Sequence, residues 1–511
     1  MEILTAFWDG LLNAATPWHL AWALAGCVLG TLIGVLPGFG PSVAVAILLP
    51  MTFKVGITPA LIFFIAIACG AMYGGSTASI LLNTPGAGTS AVTAMEGNRM
   101  ARNGRAGVAL ATSAIGSFVA GTLAAAVVVG VAPWVAGIAM KLGPAEYFML
   151  MVMAFGAVSA AIGKSTLRGM TALFVGISLA CVGFEETSGV ERLTGGIAWL
   201  HDGIDMVVVA VGLFVSGEVM HAAMYGGSAH RTCNTVGRVR MSRTDWQRSW
   251  PAWLRGTALG TPFGCVPVGG IDMPTYLSYA SERYVARPQA RVEFGKAGAI
   301  EGVAGPEAAN NATVTAALIP LLTMGIPTSN TTAVMLGAFN NYGVHPGPQL
   351  FGSAHALVWT LIGSLFIGNV ILLILNLPLV RMWTWLLRIP RPQWYAGMLI
   401  VATAGVYGMR QSGVDLLLLY VFGLLGVVMR RYDFPTTPLV VGLAMGPLAE
   451  LQLRSAVAVG HGSFGIFVTQ PLSLVLLVVV LLLVIVPRIL QSWANRRMAQ
   501  ARAYAKEMEM P

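Results

Sequence analysis

The chain has 511 residues, of which 56% are apolar and 10% charged, whereas about 25% of the residues are charged in a typical soluble domain. So few charges exclude a water-soluble protein of this size, and the mean hydropathy of +0.74 indicates a polytopic membrane protein. The net charge of +9 does not require a nucleic-acid partner, because the basic residues are concentrated in short loops and at the C-terminal end, as the positive-inside rule predicts.

Apolar runs, taken in chain order, predict the membrane segments. A run of about 20 apolar residues crosses a bilayer as a helix, and one of roughly 10 to 14 is typical of a half-helix or a re-entrant piece. The run at 18–36 is long enough to cross, whereas those at 41–53 and 60–72 are short. Residues 73–90 are polar and rich in glycine. We predict that they interrupt the helical structure between two apolar half-helices.

The remaining runs recur in both halves of the chain. They lie near residues 107–140, 147–162, 169–183, 204–220, 297–325, 331–340, 355–378, 395–409, 415–429, 436–449 and 465–487. Together the runs predict an all-α polytopic membrane protein with broken or re-entrant helices and roughly 10 to 12 membrane segments.

Two pairs of similar segments indicate an internal repeat. Residues 34–40 align with 264–270 at an offset of 230, and residues 85–92 align with 327–334 at an offset of 242. Two anchors at similar offsets predict a duplicated unit of about half the chain. The alternative is a chance match among the many glycines and prolines.

Charge predicts that the two units have opposite orientations in the membrane. The loop after the first interruption carries Arg99, Arg102 and Arg105, whereas its counterpart at 341–346 has no lysine or arginine. Equivalent loops of opposite charge bias lie on opposite sides of a membrane, which is typical of the inverted repeats of secondary transporters. We expect the N-terminus outside.

The predicted organisation has five parts. They are a first membrane repeat at 1–220, a basic cytoplasmic linker at 221–255, a second membrane repeat at 256–450, an extra C-terminal membrane segment at 451–487 and a basic cytoplasmic tail at 488–511.

A substrate site is predicted where the two interruptions meet. Broken helices in such transporters present N-terminal ends with free N–H groups and about half a positive charge near the midplane, which suits an anion. The alternative is that the serines and threonines only hydrogen-bond to their own helices. The candidate substrate-binding residues are Ser76, Thr77, Asn83, Thr84, Pro85, Gly86, Ser90, Asn310, Asn311, Pro327, Thr328, Ser329, Asn330 and Thr331. The candidate hinge glycines are Gly38, Gly40, Gly269, Gly270 and Gly325.

Ionisable residues within apolar sequence are candidates for ion coupling, because burying them is costly. Asp272, Glu307 and the neighbouring Asn310 are the candidates for binding a sodium ion or a proton. A helix cap or an interfacial position is the alternative for Glu307. The cysteines and histidines lack metal-ligand spacing, and we expect no catalytic residue, resident metal or other cofactor.

Several longer motifs resemble one transporter family. They are residues 34–50, 73–86 and 100–107 in the first half, and 301–312, 325–327 and 346–348 in the second. Their sequences and order, within a match over about 18–487, resemble the large membrane subunit of tripartite tricarboxylate transporters, the TctA family. The second-half corners depart from the family pattern, because they read Pro267-Val268 and Pro327-Thr328 where proline-glycine is the pattern.

The resemblance implies a subunit of a secondary transporter in the bacterial inner membrane. Members work with a small integral membrane subunit and a periplasmic solute-binding protein, and import citrate or other carboxylates with a cation gradient. Two other functions stay open. A passive anion channel is one, and a remote one is an intramembrane aspartyl protease using Asp272 and Asp433, whose motifs stand in the wrong order.

Overall fold

The computed structural model describes residues 2–36, 38–52, 54–161, 165–185, 189–225, 236–266, 272–386 and 389–482. Among these residues the strands are two short pieces, β1 (Gly183–Phe184) and β2 (Glu191–Arg192), paired antiparallel. The rest of the regular structure is helical. The predicted all-α class is therefore confirmed.

The described residues of the first half form ten α-helices. They are α1 (Glu2–Ala14), α2 (Pro17–Val35), α3 (Pro41–Leu48), α4 (Ile57–Leu82), α5 (Gly88–Met100), α6 (Ala106–Ala139), α7 (Pro144–Ala161), α8 (Thr166–Ala180), α9 (Met206–Ala210) and α10 (Gly217–Tyr225). Short 3-10 turns at Leu49–Thr52 and Ala198–Leu200, and π-helical turns at Ala101–Arg105 and Val211–Ser216, complete this half.

The second half continues with α11 (Arg243–Cys265), α12 (Met273–Val285), α13 (Pro288–Glu293), α14 (Glu301–Ala316), α15 (Leu318–Met324), α16 (Asn330–Asn341), α17 (Leu350–Ser353), α18 (His355–Asn376), α19 (Val380–Leu386), α20 (Arg391–Arg410), α21 (Gly413–Arg431), α22 (Thr436–Val459) and α23 (Ile466–Thr469). Pro471–Leu482 forms a further apolar helix.

Six helical segments of the described chain are long and apolar enough to cross a membrane. They are Pro17–Val35, Ile57–Leu82, Gly88–Ala139, Met206–Tyr225, His355–Asn376 and Gly413–Arg431. Four shorter apolar helices accompany them, at Pro41–Thr52, Pro144–Ser159, Thr166–Ala180 and Pro471–Leu482. The prediction of a polytopic membrane protein is confirmed.

Glycines hold α2 and α4 side by side. A Cβ atom added to Gly34 would lie 2.2 Å from the carbonyl oxygen of Ala71, so only glycine permits this approach. The same contact recurs along the pair, which joins Gly26 to Phe63, Gly30 to Ile67 and Gly34 to Ala71. Because both series of numbers rise together, α2 and α4 run parallel. Small residues at every fourth position are typical of closely packed membrane helices.

An equivalent helix pair occurs in the second half. On α11, Gly256, Gly260 and Gly264 lie against the carbonyl oxygens of Gly305, Ala309 and Thr313 on α14. Each α11 glycine follows its α2 counterpart by 230 residues, and each α14 partner follows its α4 counterpart by 242. These are the offsets noted in the sequence. The two halves thus contain one packing unit twice.

The helix ends obey the same offset. The chain leaves α4 through Asn83 at a left-handed φ of 56°, and leaves α15 through Gly325 at a φ of 69°. These two residues are 242 positions apart. Short non-helical corners follow at 83–87 and 325–329, before α5 and α16 begin.

The interruption predicted over 73–90 is wrong in extent. Helix α4 is continuous through Ser76 and Thr77 to Leu82. Its polar side chains do not unwind it, because Ser76 Oγ and Thr77 Oγ1 donate to the carbonyl oxygens of Met72 and Tyr73, at 3.1 and 3.4 Å. Serine and threonine bonded in this way are compatible with a buried helix.

The candidate residues of the second interruption are divided between helix and corner. Asn310 and Asn311 lie within α14, which a turn at Ala317 separates from α15, and the non-helical corner follows at 325–329. The predicted linker at 221–255 contains the end of α10 and the first half of α11, while 226–235 lies outside the described residues. Residues 483–511, which include the predicted tail, also lie outside the described residues.

Candidate functional site

A buried carboxylate lies where α4, α5, α6 and α14 meet. Glu307, on α14, is 0% exposed. It accepts hydrogen bonds from Ser76 Oγ at 2.7 Å, Thr93 Oγ1 at 2.5 Å, Ser113 Oγ at 3.1 Å and Ser117 Oγ at 3.4 Å. Four hydroxyl donors from three helices of the first half therefore converge on one acidic side chain of the second half.

Asn311 extends this arrangement. Its Nδ2 donates to Ser117 Oγ at 2.8 Å and to the backbone carbonyl of Glu307 at 3.1 Å. We call the six residues Ser76, Thr93, Ser113, Ser117, Glu307 and Asn311 the Glu307 cluster. Two of its members, Ser76 and Asn311, are predicted substrate-binding residues, and Glu307 is a predicted coupling residue.

The charge of Glu307 has no ionic partner among the described residues. Removing an isolated carboxylate from water costs several kcal/mol or more unless a partner compensates. Hydroxyl donors offset part of this cost, because hydrogen bonds to charged groups are stronger than those between neutral groups. A proton or a small cation would complete the neutralisation.

Helix periodicity explains how the sequence assembles the cluster. Ser113 and Ser117 are four residues apart on α6 and therefore share one face. Helix α5 runs antiparallel to α14, since Gly97 lies opposite Val303 while Thr93 lies opposite Glu307. This register brings Thr93 to the carboxylate.

A buried amide oxygen without a hydrogen-bond partner lies one turn further along α14. Asn310 is 1% exposed, and its Oδ1 has no hydrogen-bond partner among the described residues. The antiparallel register places Ser90 of α5 level with Asn310. Ser90 Oγ contacts the Ala87 carbonyl at 3.3 Å, in the first corner. Buried polar atoms are rarely left unpaired, so Asn310 is available for a ligand between the Glu307 cluster and this corner.

The first corner is partly exposed at the protein surface. Asn83 is exposed, and Thr84, Pro85 and Gly86 are half-buried. Thr84 Oγ1 has no partner in the described part of the chain. The corner packs on the connection between α2 and α3, where a Cβ added to Gly86 would lie 2.4 Å from the Phe39 carbonyl oxygen.

The candidate hinge glycines fall at these connections. Gly38 has a φ of 93°, and Gly40 lies beside Gly86. Gly325 occupies the second corner, where a Cβ would lie 2.6 Å from the Pro346 carbonyl oxygen. Gly269 and Gly270 lie outside the described residues.

The second corner is buried, and most of its polar groups form hydrogen bonds with one another or with nearby residues. Ser329 caps α16 through reciprocal hydrogen bonds with Thr332, and the Thr437 hydroxyl donates to Asn330 Oδ1. Pro327, Thr328 and Thr331 are buried, and Thr328 Oγ1 has no partner among the described residues. No hydrogen bond of the described residues joins this corner to the first.

Asp272 lies at the first corner. Its carboxylate lies against the backbone of Gly88, the first residue of α5, where an added Cβ would be 2.7 Å from Asp272 Oδ2. Asp433 has a different partner, Arg168, at 3.8 Å. The two aspartates of the remote protease hypothesis therefore interact with different groups.

Sequence reasoning missed the acceptors and donors that depend on tertiary packing. Thr93, Ser113 and Ser117 were not predicted, although the spacing of the two serines within an apolar run was a usable signal. Glu96 was missed as well. It is 0% exposed and accepts from Tyr279 Oη, Gly295 N and Ala299 N at 2.8, 2.9 and 3.0 Å.

Ion pairs hold the N-terminal half of α11 to its neighbours. Arg248 donates to Glu293 and Glu301, with contacts of 2.7 to 3.2 Å. Arg255 donates to both oxygens of Glu282, at 2.9 and 2.5 Å. These ion pairs hold α11 to α12, α13 and α14 near Glu96. They therefore stabilise the N-terminal end of α14, which precedes Glu307.

Comparisons with known proteins agree with the sequence motifs. The model of the tripartite tricarboxylate transporter TctA family matches residues 20–441. An uncharacterized 52.8 kDa protein in the TAR-I ttuC' 3' region of Agrobacterium vitis is 40% identical over 487 residues, covering 95% of this chain and 96% of that protein. An uncharacterized protein in the TAR-II ttuC' 3' region of the same organism is 41% identical over 218 residues, or 43% of this chain and 89% of that protein. No solved structure matches.

Proposed function

This chain belongs to the tripartite tricarboxylate transporter TctA family, and from that premise we propose that it imports tricarboxylates or related carboxylates by cation-coupled alternating access. It works in the bacterial inner membrane, together with a small integral membrane subunit and a periplasmic solute-binding protein. Family membership points to a transporter rather than an enzyme.

The Glu307 cluster carries the proposal of cation coupling. A carboxylate that is fully buried, surrounded by hydroxyls and without an ionic partner in the described chain is suited to gain and lose a positive charge. Glu307 binds the coupling ion, and Asn310, with its unpaired Oδ1, lies one turn away towards the substrate. The coupling ion is H⁺ or Na⁺.

The two packing units support alternating access. Glu307 belongs to the second unit, and its hydroxyl donors belong to the first half. A relative movement of the halves therefore changes how the carboxylate is solvated. The position 242 residues before Glu307 is Ile65, so the repeat does not duplicate the acidic group. One coupling site serves both units, which are oppositely oriented inverted repeats.

The substrate binds beside the first corner. Asn83, Thr84, Pro85 and Gly86 are at least partly exposed there, and Ser90 lies on the side of Asn310. Neutral donors at the N-terminal end of α5 suit carboxylate groups. The second corner supports the fold of α16 through the Ser329–Thr332 cap.

Gradient-driven uptake tests this function. The chain is reconstituted in vesicles with its small subunit and binding protein, and labelled citrate uptake is measured under an imposed sodium or proton gradient. We expect one gradient to drive accumulation in the wild type, and Glu307→Gln to abolish accumulation. Uptake that needs neither a gradient nor the binding protein would instead indicate a passive channel, and accumulation by Glu307→Gln at the wild-type rate would remove Glu307 from coupling.

A further inference from the structure

The segment before α11 carries two arginines whose charge is not neutralised within the described chain. Arg238 and Arg240 are exposed, and neither forms an ion pair with a described residue. Asp245 is the only acid of the sequence between residues 221 and 255, and Arg105 already binds it at 2.5 Å. The positive charge of both arginines is therefore available to an external anion.

The local backbone keeps the two arginines close together. The Arg240 N–H donates to the Arg238 carbonyl at 3.0 Å, which closes a three-residue turn around Val239. Val239 packs on the apolar cluster that contains Val380. A Cβ atom added to Gly107, in the first turn of α6, would lie 2.3 Å from the Arg238 carbonyl oxygen. This turn is thus held against its neighbours, so a ligand would need to order only the two side chains.

A groove of about 330 Å³ lies between this turn and the end of α18. The turn contributes Arg238, Val239 and Arg240 to its lining, and the connection between α18 and α19 contributes Leu377, Pro378 and Val380. The groove therefore combines two positive charges with an apolar surface.

The length of α18 places this groove at the membrane surface. The helix has 22 residues and spans about 33 Å, close to the roughly 30 Å of a bilayer's hydrocarbon core. Its last residue, Asn376, therefore lies near one face of the bilayer, and the groove begins at the next residue. Trp385 of α19 is 61% exposed, and tryptophan is enriched at this depth. The positive-inside rule assigns the face with the basic linker to the cytoplasm.

We propose that this groove binds the headgroup of an anionic phospholipid of the cytoplasmic leaflet, with phosphatidylglycerol as the simplest case. Arg238 and Arg240 bind the phosphate oxygens, because planar guanidinium groups match phosphate geometry. Leu377 and Pro378 contact the glycerol and the start of the acyl chains. A phospholipid matches both the charge and the apolar surface, whereas a soluble phosphate matches the charge alone. The bound lipid joins the linker between the two repeats to the end of α18. This inference does not depend on the transported substrate.

Lipid binding by the purified full-length protein tests the groove. Native mass spectrometry during titration with phosphatidylglycerol or phosphatidylcholine measures the affinity for each lipid. We expect the wild type to prefer phosphatidylglycerol. The Arg238→Ala/Arg240→Ala variant should bind phosphatidylglycerol about 25-fold more weakly, because each arginine near an anionic headgroup contributes about a factor of five. Its affinity for phosphatidylcholine should change little.

The matched control is Arg102→Ala/Arg287→Ala, which removes two exposed arginines that do not line the groove. This variant should bind phosphatidylglycerol as the wild type does. Equal affinities of the wild type and the Arg238→Ala/Arg240→Ala variant, or equal losses in both double variants, would overturn the groove as a lipid site. All four substitutions change exposed side chains, so unfolding temperatures in lipid-free detergent should match the wild type.

Soluble phosphates distinguish a lipid headgroup from a free anion. Inorganic phosphate and glycerol 3-phosphate, each at about a hundredfold excess over lipid, should not displace phosphatidylglycerol, because they lack the acyl chains. Displacement by either compound would overturn the lipid and assign the groove to a soluble phosphate.

Discussion

The Thr93 hydroxyl donates to the Glu307 carboxylate at 2.5 Å, and this contact joins the two halves of the chain inside the protein. Thr93 is on the helix that follows the first corner, and Glu307 is on α14, which belongs to the second packing unit. The contact therefore links the proposed substrate corner to the proposed coupling residue.

Replacing Thr93 by valine should slow coupled uptake. Valine has the same shape but no hydroxyl, so Glu307 loses its shortest hydrogen bond while the packing is kept. A hydrogen bond to a charged group contributes about 1.5 to 3 kcal/mol, and we expect citrate uptake to fall about tenfold or more. Thr93→Ser should restore most of it. The control is Thr257→Val, which removes a buried hydroxyl that bonds only within its own helix. Equal losses in Thr93→Val and Thr257→Val would argue against a specific role for Thr93.

Alanine at Gly34 or at Gly264 should destabilise the protein to a similar degree. The new Cβ would lie 2.2 Å from the Ala71 carbonyl oxygen in one case and 2.3 Å from the Thr313 carbonyl oxygen in the other, and neither backbone can yield without moving a helix. Overpacking costs about 1 to 3 kcal/mol or more. A thermal-unfolding series in detergent measures the effect. Gly137→Ala in α6 is the control, because its Cβ would meet nothing within 4 Å. If all three variants unfolded alike, the close approach at Gly34 and Gly264 would not be limiting.

The glycine spacing explains why the repeat could be found in the sequence. A close helix contact requires glycine itself, so Gly34 and Gly264 keep their identity at an offset of 230. The Glu307 cluster has no such signature. Its donors come from three helices, and the partners of Ser113 become visible only when α6 packs on α14. The helicity of Ser76 was mispredicted for a related reason, because a glycine- and serine-rich segment is stable as a helix only when a neighbour such as α2 buries it.

Glu96→Ala should destabilise the contact between α5 and the segment before α14. The substitution leaves Tyr279 Oη and the N–H groups of Gly295 and Ala299 without their acceptor. Unsatisfied buried donors cost about 1 to 3 kcal/mol each, so we expect a fall of several degrees in the unfolding temperature of the detergent-purified protein. Glu2→Ala, at an exposed acid of α1, is the control. A Glu96→Ala protein that melts with the control would show that these donors find other acceptors or water.

Two substitutions at Asn83 separate its side chain from its backbone. Asn83 has a left-handed φ of 56°, which alanine adopts at a cost of about 1 to 2 kcal/mol and glycine adopts freely. If the amide binds substrate, Asn83→Gly and Asn83→Ala should both abolish citrate uptake while leaving membrane insertion intact. If Asn83 only shapes the corner, Asn83→Gly should transport normally, and the Asn83 side chain is then not part of the substrate site.

Asn310→Ala is the companion test, because Asn310 lies in a helix where alanine is favourable. Its loss of uptake can then be assigned to the amide, and near-normal uptake in both Asn83→Gly and Asn310→Ala would remove the first corner and Asn310 from substrate binding.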